Sequence, residues 1–541
     1  MSAEVNGISQ PPLQRNAARR STVIGFRGAV ATSQPLAAQA GLRVLQAGGN
    51  AVDAAIAAGA ALNVVEPMST GMGGDVFALV YRASDRRVYA LNGSGRAPAK
   101  ATPELFQQRG LQAIPQRGIL PVTVPGAPAA WADLSARFGR LGLAASLEPA
   151  IAYAMEGYPV SEYIASLWQR ARPLLERDPE STRVFLPDGR PPRTGERMYL
   201  PDLGRSLRRI ASEGAAAFYQ GEIAQAIEAT SQAHDGLLTA ADLAAHTSTW
   251  EEPISSVYRG HRVWECPPNG QGIATLLALN VLEGYPLAEM QWADPLTVHL
   301  KMEAVKLAMI DAARYVADPA MAEVPVDALL SAAYAQERRA AIRPERALAA
   351  PGPWQLPTSH DTVYVTAADG EGNACSFINS LYMGFGSGIT VPGTGVVLQN
   401  RGHLFTLDRA HPNCLAPGKR PYHTIIPAMV TRDEALALCY GVMGGFMQPQ
   451  GQVQVLCNIL DHGMSPQEAL DAPRFCYESD GSFHIEPYFG METLQQLQRF
   501  GHRLEVEAGY YGGGQVIRVH PESGALMAGS EPRNDGAAVA F

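Results

Sequence analysis

Residues 356–377, LPTSHDTVYVTAADGEGNACSF, join a proline- and alanine-rich segment to a run of strand-forming residues. Three threonines fall within nine residues of this stretch, namely Thr358, Thr362 and Thr366. The Val-Tyr-Val run at 363–365 favours a strand that begins directly after the second threonine. If the chain is cut just before a threonine, the new α-amine can take the proton of the neighbouring hydroxyl. The stretch is therefore a candidate site of self-cleavage that would free a catalytic threonine, although threonines simply enriched in a strand would explain this window taken alone.

The chain divides into four parts by composition. Residues 1–20 are polar and basic and predict a disordered arm. Residues 21–361 form a large segment, and its last part, 343–361, is rich in proline and predicts an exposed linker before the cleavage site. Residues 362–541 form a smaller segment that carries the nucleophile, and we expect the two segments to build one structural unit.

Helical and strand patterns are both abundant, and they do not alternate strictly. Residues 296–316 predict an amphipathic helix whose apolar stripe is made of Leu300, Ala304, Leu307 and Ile310. Strand patterns such as TVYVTAAD and ALALCYGVMG concentrate after residue 361. This order disfavours a doubly wound parallel sheet and favours an α+β fold.

Composition excludes several classes of partner. The net charge of −9 argues against nucleic acid or an anionic membrane, since both require basic surfaces. No stretch approaches the ~18–20 apolar residues of a transmembrane helix. The N-terminus has no apolar core of the kind that a signal peptide needs, so a cytoplasmic protein is expected.

No metal or cofactor is predicted. The six cysteines lie far apart without a CxxC pair, and His403, His411 and His423 lack the spacing of a metal motif. The glycine-rich GFGSG at 384–388 does not open a helix after a first strand, which disfavours a dinucleotide site.

Several longer motifs run in order along nearly the whole chain. They include AGLRVLQAGGNAVDAAIA, EPMSTGMGGDVFALVY, NACSFINSLYMGFGSG, APGKRPYHTIIPAMV, GVMGGFMQPQGQVQVL and the tail SEPRNDGAAVAF. In these motifs the sequence resembles the gamma-glutamyltransferase-like N-terminal nucleophile hydrolases. The resemblance implies a self-cleaving precursor whose two fragments remain together as a heterodimer and jointly build a four-layer αββα sandwich; it also allows a dimer of such heterodimers.

The resemblance also bears on the choice of threonine. TSHDT at 358–362 looks like the family's usual first residues, but counting back ten residues from the Gly372-Asn373 turn reaches Thr362. The family's helper hydroxyl, eighteen residues further on, then falls on Ser380, just before LYMGFGSG. The resemblance thus implies cleavage between Asp361 and Thr362, with Thr358 as the alternative N-terminus.

The resemblance further implies an oxyanion hole at Gly444-Gly445 in VMGGF, although a Gly-Gly pair after a strand is also typical of an ordinary turn. Thr362 would form an acyl-enzyme, which is released to water or to an amine. The positions that match the family's substrate ligands include Tyr382, Arg401, His423 and Thr424; the expected arginine falls on Ser94, and Arg96 stands two residues later as its candidate replacement.

Some of these positions depart from the family pattern. Leu404 stands where an aspartate is expected, and a buried ammonium without a carboxylate partner is costly. Arg96 and Arg401 add guanidinium groups, which favour carboxylates, although either arginine could form a structural salt bridge instead. The predicted substrate is a small amide whose acyl group bears a carboxylate, such as a gamma-glutamyl or related group. Oxamate, or a glutaryl amide of the kind that cephalosporin acylases cleave, is the alternative substrate. A non-catalytic, unprocessed homologue is the rival of another class.

Overall fold

The computed structural model of the protein describes residues 20–349, 362–509 and 511–541. The predicted arm lies outside this part except for Arg20, and so does most of the predicted linker. Thr358 and Asp361 therefore lie outside the described residues.

The strands are short to medium in length. They are β1 Val23–Gly25, β2 Gly28–Thr32, β3 Asp75–Arg82, β4 Arg87–Gly93, β5 Tyr158–Pro159, β6 Arg197–Met198, β7 Thr249–Glu251, β8 Ile254–Tyr258, β9 His261–Glu265, β10 Val363–Asp369, β11 Ala374–Ser380, β12 Thr390–Val391, β13 Val396–Val397, β14 Ala428–Arg432, β15 Ala435–Met443, β16 Phe475–Tyr477, β17 Phe483–Ile485, β18 Leu504–Val506, β19 Gly513–Val519, β20 Leu526–Ser530 and β21 Ala537–Ala540.

The helices fall mostly between residues 35 and 341. They are α1 Pro35–Gln46, α2 Ala51–Val65, α3 Pro103–Gln108, α4 Ala127–Phe138, α5 Leu143–Glu156, α6 Glu162–Leu175, α7 Pro179–Phe185, α8 Pro201–Glu213, α9 Ala216–Tyr219, α10 Glu222–Ala233, α11 Ala240–Ala244, α12 Gly272–Leu282, α13 Pro295–Tyr315, α14 Val326–Leu329, α15 Ala332–Ala341, α16 Met447–Leu460, α17 Pro466–Asp471 and α18 Met491–Arg499.

Two seven-stranded sheets form the centre of the molecule. The first has the order β21-β2-β10-β11-β3-β4-β7, and the second has the order β1-β20-β19-β15-β14-β9-β8. They pack face to face through apolar side chains that include Phe77, Tyr364, Ile378, Met429 and Ile517. Helices α1, α2 and α4 cover the outer face of the first sheet, and α12, α16 and α17 cover that of the second. The predicted αββα sandwich is confirmed.

The alanine-rich composition of α2 follows from its position. Every residue of this helix is buried, and Asn50 caps its N-terminus by accepting from the amides of Val52 and Asp53. The helix lies so close to the first sheet that a Cβ on Gly59 would stand 2.5 Å from the Phe377 ring. Larger side chains would hold α2 away from the strand that leads to Ser380.

The two segments of the chain interleave in the first sheet. Strands β10 and β11 follow residue 361, and they lie between β2 and β3, which precede it. Both neighbours are joined to this central pair by antiparallel backbone pairing. Cleavage before residue 362 would therefore leave the fragments joined by three strand pairings in this sheet, β2–β10, β3–β11 and β2–β21, and by β1–β20 and β9–β14 in the second sheet.

The amphipathic prediction for α13 is wrong. Leu307 and Ile310 of the apolar stripe are only partly buried, whereas Glu303 and Lys306 are buried. The polar side is tolerated in the interior because its charges are paired: Lys306 Nζ lies 2.6 Å from Glu303 Oε1. In the described part of the chain, no helix combines the length and apolar character needed to cross a membrane.

Candidate active site

Thr362 stands at the entry to β10, in the interior of the protein. Its side chain is 2% exposed, and its Oγ1 lies 3.1 Å from Ser380 Oγ. The β10–β11 register, which pairs Val363 with Asn379, places Thr362 opposite Ser380. Ser380 Oγ also accepts a hydrogen bond from the Tyr382 amide at 2.8 Å, so the helper hydroxyl is held in place.

Thr366 has a structural role in this arrangement. Its Oγ1 donates to the carbonyl oxygen of Cys439 at 3.0 Å, which links β10 in the first sheet to β15 in the second. The hydroxyl is fully buried and engaged by the backbone. This contact fits the strand role that the sequence suggests for the third threonine.

Gly444 and Gly445 form the turn between β15 and α16. Both have positive φ, 124° and 57°, which favours glycine. The turn is buried, and within the described residues neither amide N–H donates a hydrogen bond. Because buried N–H groups are nearly always paired, two adjacent ones without an acceptor suit a negatively charged oxygen.

A buried guanidinium lies near the helper hydroxyl. Arg401 is 0% exposed; its Nη1 donates to Thr424 Oγ1 at 2.6 Å, and its Cζ lies 4.6 Å from the centre of the Tyr382 ring. In the part of the chain that the structure describes, its Nε and Nη2 have no hydrogen-bond partner. Burial lowers the pKa of Arg401 to about 10, so the group still carries its charge at neutral pH. Two unpartnered N–H directions on a buried cation suit an anionic ligand.

His423 is neutral and oriented by a carboxylate. Its Nδ1 accepts from the Ile425 amide, so Nε2 carries the proton and donates to Asp75 Oδ2 at 3.0 Å. Burial and then the charge of Arg401 lower the pKa of His423 to about 3. The histidine therefore does not exchange a proton near neutral pH.

The sequence analysis missed Asp75, although it lies within the quoted motif that begins at Glu66. This buried carboxylate accepts from the amides of Gly95 and Gly126, from Gln399 Nε2 and from His423. Because it accepts these four hydrogen bonds, Asp75 holds two backbone amides, Gln399 and His423 in place around the site. Only the convergence of distant segments shows this role.

Gln271 was also missed, and it ties the Arg401 side to the glycine turn. Its Nε2 donates to the carbonyl oxygens of Thr424 at 2.8 Å and of Gly445 at 2.9 Å. Its Oε1 accepts from the Tyr422 hydroxyl. The contacts thus run as one connected set from Thr362 through Ser380, Tyr382, Arg401, Thr424 and Gln271 to Gly445.

Arg96 lies outside this connected set. Its Nη1 stands 3.8 Å from Asp318 Oδ2, and about a third of its side chain is exposed. Arg96 is not among the described residues that line the cavity at Thr362, and neither are the other predicted ligands, Tyr382, Arg401, His423 and Thr424. The assignment of Arg96 as a substrate ligand stays a prediction.

A cavity of about 350 Å³ opens beside Thr362. One wall comes from the segment after α2, where Glu66 Oε2 accepts from Ser33 Oγ at 2.6 Å. The other described residues that line it are Met68, Ser69, Arg117, Tyr163, Leu167, Arg170, Ala171, Leu174, Gly384 and Met443. The nucleophile candidate therefore faces a space large enough for a small amide.

His299, Glu303 and His502 form a buried group whose donor atoms lie within 4.8 Å of one another. In the structure His299 Nδ1 lies 2.7 Å from His502 Nε2, and Lys306 Nζ is 2.6 Å from Glu303 Oε1. Glu303 is the only carboxylate of the group, and the ammonium of Lys306 already pairs with it. The positive charge of that ammonium would repel a metal cation at this position. None of the three lines the cavity at Thr362 among the described residues.

Comparison with known proteins agrees with this architecture. The family model described as gamma-glutamyltranspeptidase matches residues 37–541. The chain is 40% identical over 527 residues to the glutathione hydrolase-like YwrD proenzyme of Bacillus subtilis (strain 168), with 96% of this chain and 99% of that protein covered. It is 36% identical over 530 residues to the acylase ACY 1 proenzyme of Pseudomonas sp. (strain SE83), at 96% and 94% coverage.

A solved structure matches along almost the same length. The crystal structure of cephalosporin acylase from Bacillus halodurans has a TM-score of 0.92 and 47% sequence identity, covering 98% of this chain and 99% of that one. The family model and these identities span nearly the whole sequence. The chain therefore belongs to the gamma-glutamyltranspeptidase family and is an amidohydrolase of its N-terminal nucleophile class.

Proposed function

We propose that the protein cuts itself before Thr362 and uses this N-terminal threonine to cleave a small amide whose acyl group bears a carboxylate. The observation that carries the proposal is the Thr362 Oγ1–Ser380 Oγ contact at the start of a buried strand, directly after the segment expected to be cut. The names of the relatives, which include acylase and glutathione hydrolase-like proenzymes, support it.

The reaction uses groups that lie close together. The α-amine of Thr362, with an unperturbed pKa of ~7.7–8.0, takes the hydroxyl proton as Oγ1 attacks the amide carbonyl. The N–H groups of Gly444 and Gly445 stabilise the resulting oxyanion. The C–N bond breaks, the amine leaves with the proton, and the acyl-enzyme passes its acyl group to water or to another amine.

Recognition of the acyl group rests on Arg401. Its two unpartnered N–H groups can receive a carboxylate, while Thr424 and Tyr382 fix the guanidinium. Asp75 already accepts four hydrogen bonds within the protein and is not among the described residues that line the cavity, and Leu404 is a buried apolar residue, so neither is placed to pair with an α-ammonium. Glutaryl-type amides and oxamate therefore fit better than gamma-glutamyl amides.

The first test is the state of the purified wild-type chain. We expect a denaturing gel to show two fragments, and Edman sequencing to read Thr-Val-Tyr-Val from the smaller one. A panel of glutaryl, oxamate and gamma-glutamyl amides should then leave an acyl mass on the fragment that begins at Thr362. An uncut chain that binds but does not turn over these amides would favour the non-catalytic homologue.

Gly444→Ala should lower kcat by about 10²–10³-fold with little change in KM, because an oxyanion donor is displaced. A φ of 124° is one that L side chains rarely adopt, so the added Cβ forces the turn to move. Rates are measured per processed active site, counted by intact mass.

The matched control is Gly463→Ala, at φ 65° with open space around the new Cβ. This variant also adds a Cβ to a glycine of positive φ, in the turn after α16 and away from the cavity, and we expect its kcat to stay within about twofold of wild type. Equal kcat in Gly444→Ala and wild type would remove the oxyanion assignment.

A further inference from the structure

One helix faces Thr362 across the cavity. Tyr163, Leu167, Arg170, Ala171 and Leu174 recur along α6 at helical spacing, and all five line the cavity with the threonine. The opposite side of α6 is anchored in the core by Trp168, whose Nε1 donates to the Phe185 carbonyl oxygen at 2.8 Å. The helix thus presents a fixed wall to the substrate.

The residues around Arg401 and the lining residues of α6 differ in their exposure to solvent. This difference indicates which part of the substrate each group contacts. Arg401, Tyr382 and Thr424 are buried and are not among the described residues that line the cavity, so the acyl group proposed to bind them lies on the closed side of Thr362. The lining residues of α6 are partly exposed, and Arg170 is exposed. The amine must leave, and water or an acceptor must enter, through the open side, so α6 borders the leaving-group position.

The two arginines of the cavity differ in their availability. Arg117 Nη1 donates to the Gly384 carbonyl oxygen at 2.6 Å and also to that of Gly386, which makes it part of the wall. Arg170 makes no ion pair or hydrogen bond in the part of the chain that the structure describes. It stands on the same helix face as Leu167 and Leu174, so one cation borders an apolar surface.

We propose that this face of α6 is a leaving-group subsite, selecting amines that combine an apolar body with a carboxylate. The apolar body lies against Leu167 and Leu174, and the carboxylate pairs with Arg170. Glu66, on the wall formed after α2, lines the same cavity and can accept a hydrogen bond from the departing amine. This subsite rests on the proposed function and adds to it the class of amine released.

The test compares two leaving groups of equal shape on the acyl group that the amide panel selects: 4-aminobenzoate and 4-aminobenzamide. For the wild type we expect kcat/KM to favour the aminobenzoate by about three- to sixfold, the range of a solvent-exposed ion pair. Arg170→Ala should abolish the preference and Arg170→Glu should invert it, mainly through KM. Turnover of the aminobenzamide should persist in both variants.

Arg172 supplies the matched control, since it lies on the same helix and pairs with Glu176 at 2.7 Å outside the cavity lining. Arg172→Ala should keep the wild-type preference. Equal kcat/KM for the two leaving groups in the wild type, or an unchanged preference in Arg170→Ala, would overturn the subsite alone. Failure of the wild type to turn over any amide of the panel would overturn the proposed function and this inference together.

Discussion

Thr362→Ala should yield an uncut chain of 57.7 kDa with no measurable turnover. The substitution removes the hydroxyl that attacks both the preceding peptide bond and the substrate, and with the cut it removes the α-amine that serves as base. Loss of such a nucleophile typically lowers kcat by about 10⁴-fold or more. A denaturing gel, intact mass and the amide panel measure the result, while Thr362→Ser should still be cut.

Thr358→Ala is the control that separates the two candidate N-termini. We expect this variant to be processed and to turn over substrate as the wild type does. Two results would show that Thr358 is the nucleophile: a fragment that begins at residue 358, or loss of processing in Thr358→Ala but not in Thr362→Ala. The Thr362–Ser380 contact would then be one between two strand residues with no part in the chemistry.

Arg401→Ala should lower kcat/KM for a carboxylate-bearing acyl amide by about 10²–10³-fold, in the range found when one partner of a buried charge pair is removed. The same variant should lose less than about tenfold on an analogue whose carboxylate is replaced by a carboxamide. The reason is that the unpartnered Nε and Nη2 groups meet an anion only in the first substrate. Arg401→Lys should recover part of the loss, because a lysine supplies the charge without the planar fork.

The wild type alone provides a second measurement of this prediction. It should prefer the carboxylate over the carboxamide acyl group, whether or not the Arg401 variants fold. Thermal melting and self-processing of each variant separate a folding defect from a binding defect. Equal rates on the two acyl groups, or a preference for gamma-glutamyl amides over glutaryl amides, would contradict the acyl-group assignment.

Some of the site could be predicted because the relevant contacts are local. Thr362 and Ser380 lie on two strands joined by a tight turn, so their separation along the chain almost fixes which residues stand opposite each other. The glycine turn follows a recognisable strand and precedes a helix. Positions of this kind can be counted along the sequence, whereas the αββα fold is implied by the family resemblance; the catalytic roles of these residues stay predictions.

Other features depended on charges that meet from distant segments. His423 is a predicted substrate contact, and its Nε2 instead donates to Asp75, 348 positions away in sequence. Arg96 and Arg401 carry the same side chain, but Arg96 faces Asp318 whereas Arg401 has two N–H groups without a partner. The polar side of α13 is buried beside its paired charges, which its periodicity did not indicate.

The sequence by itself determined the strand that begins directly after Thr362, and its family resemblance gave the layered fold and named Ser380, Gly444 and Gly445 as candidates. Only the tertiary structure decided which arginine is buried with unpartnered donors, that Asp75 is already occupied, and that Glu66 and Arg170 border the cavity. The physical reason is the distance along the chain over which each kind of interaction is determined. Backbone geometry fixes register over a few residues, whereas the pairing of a buried charge depends on how whole layers pack against one another.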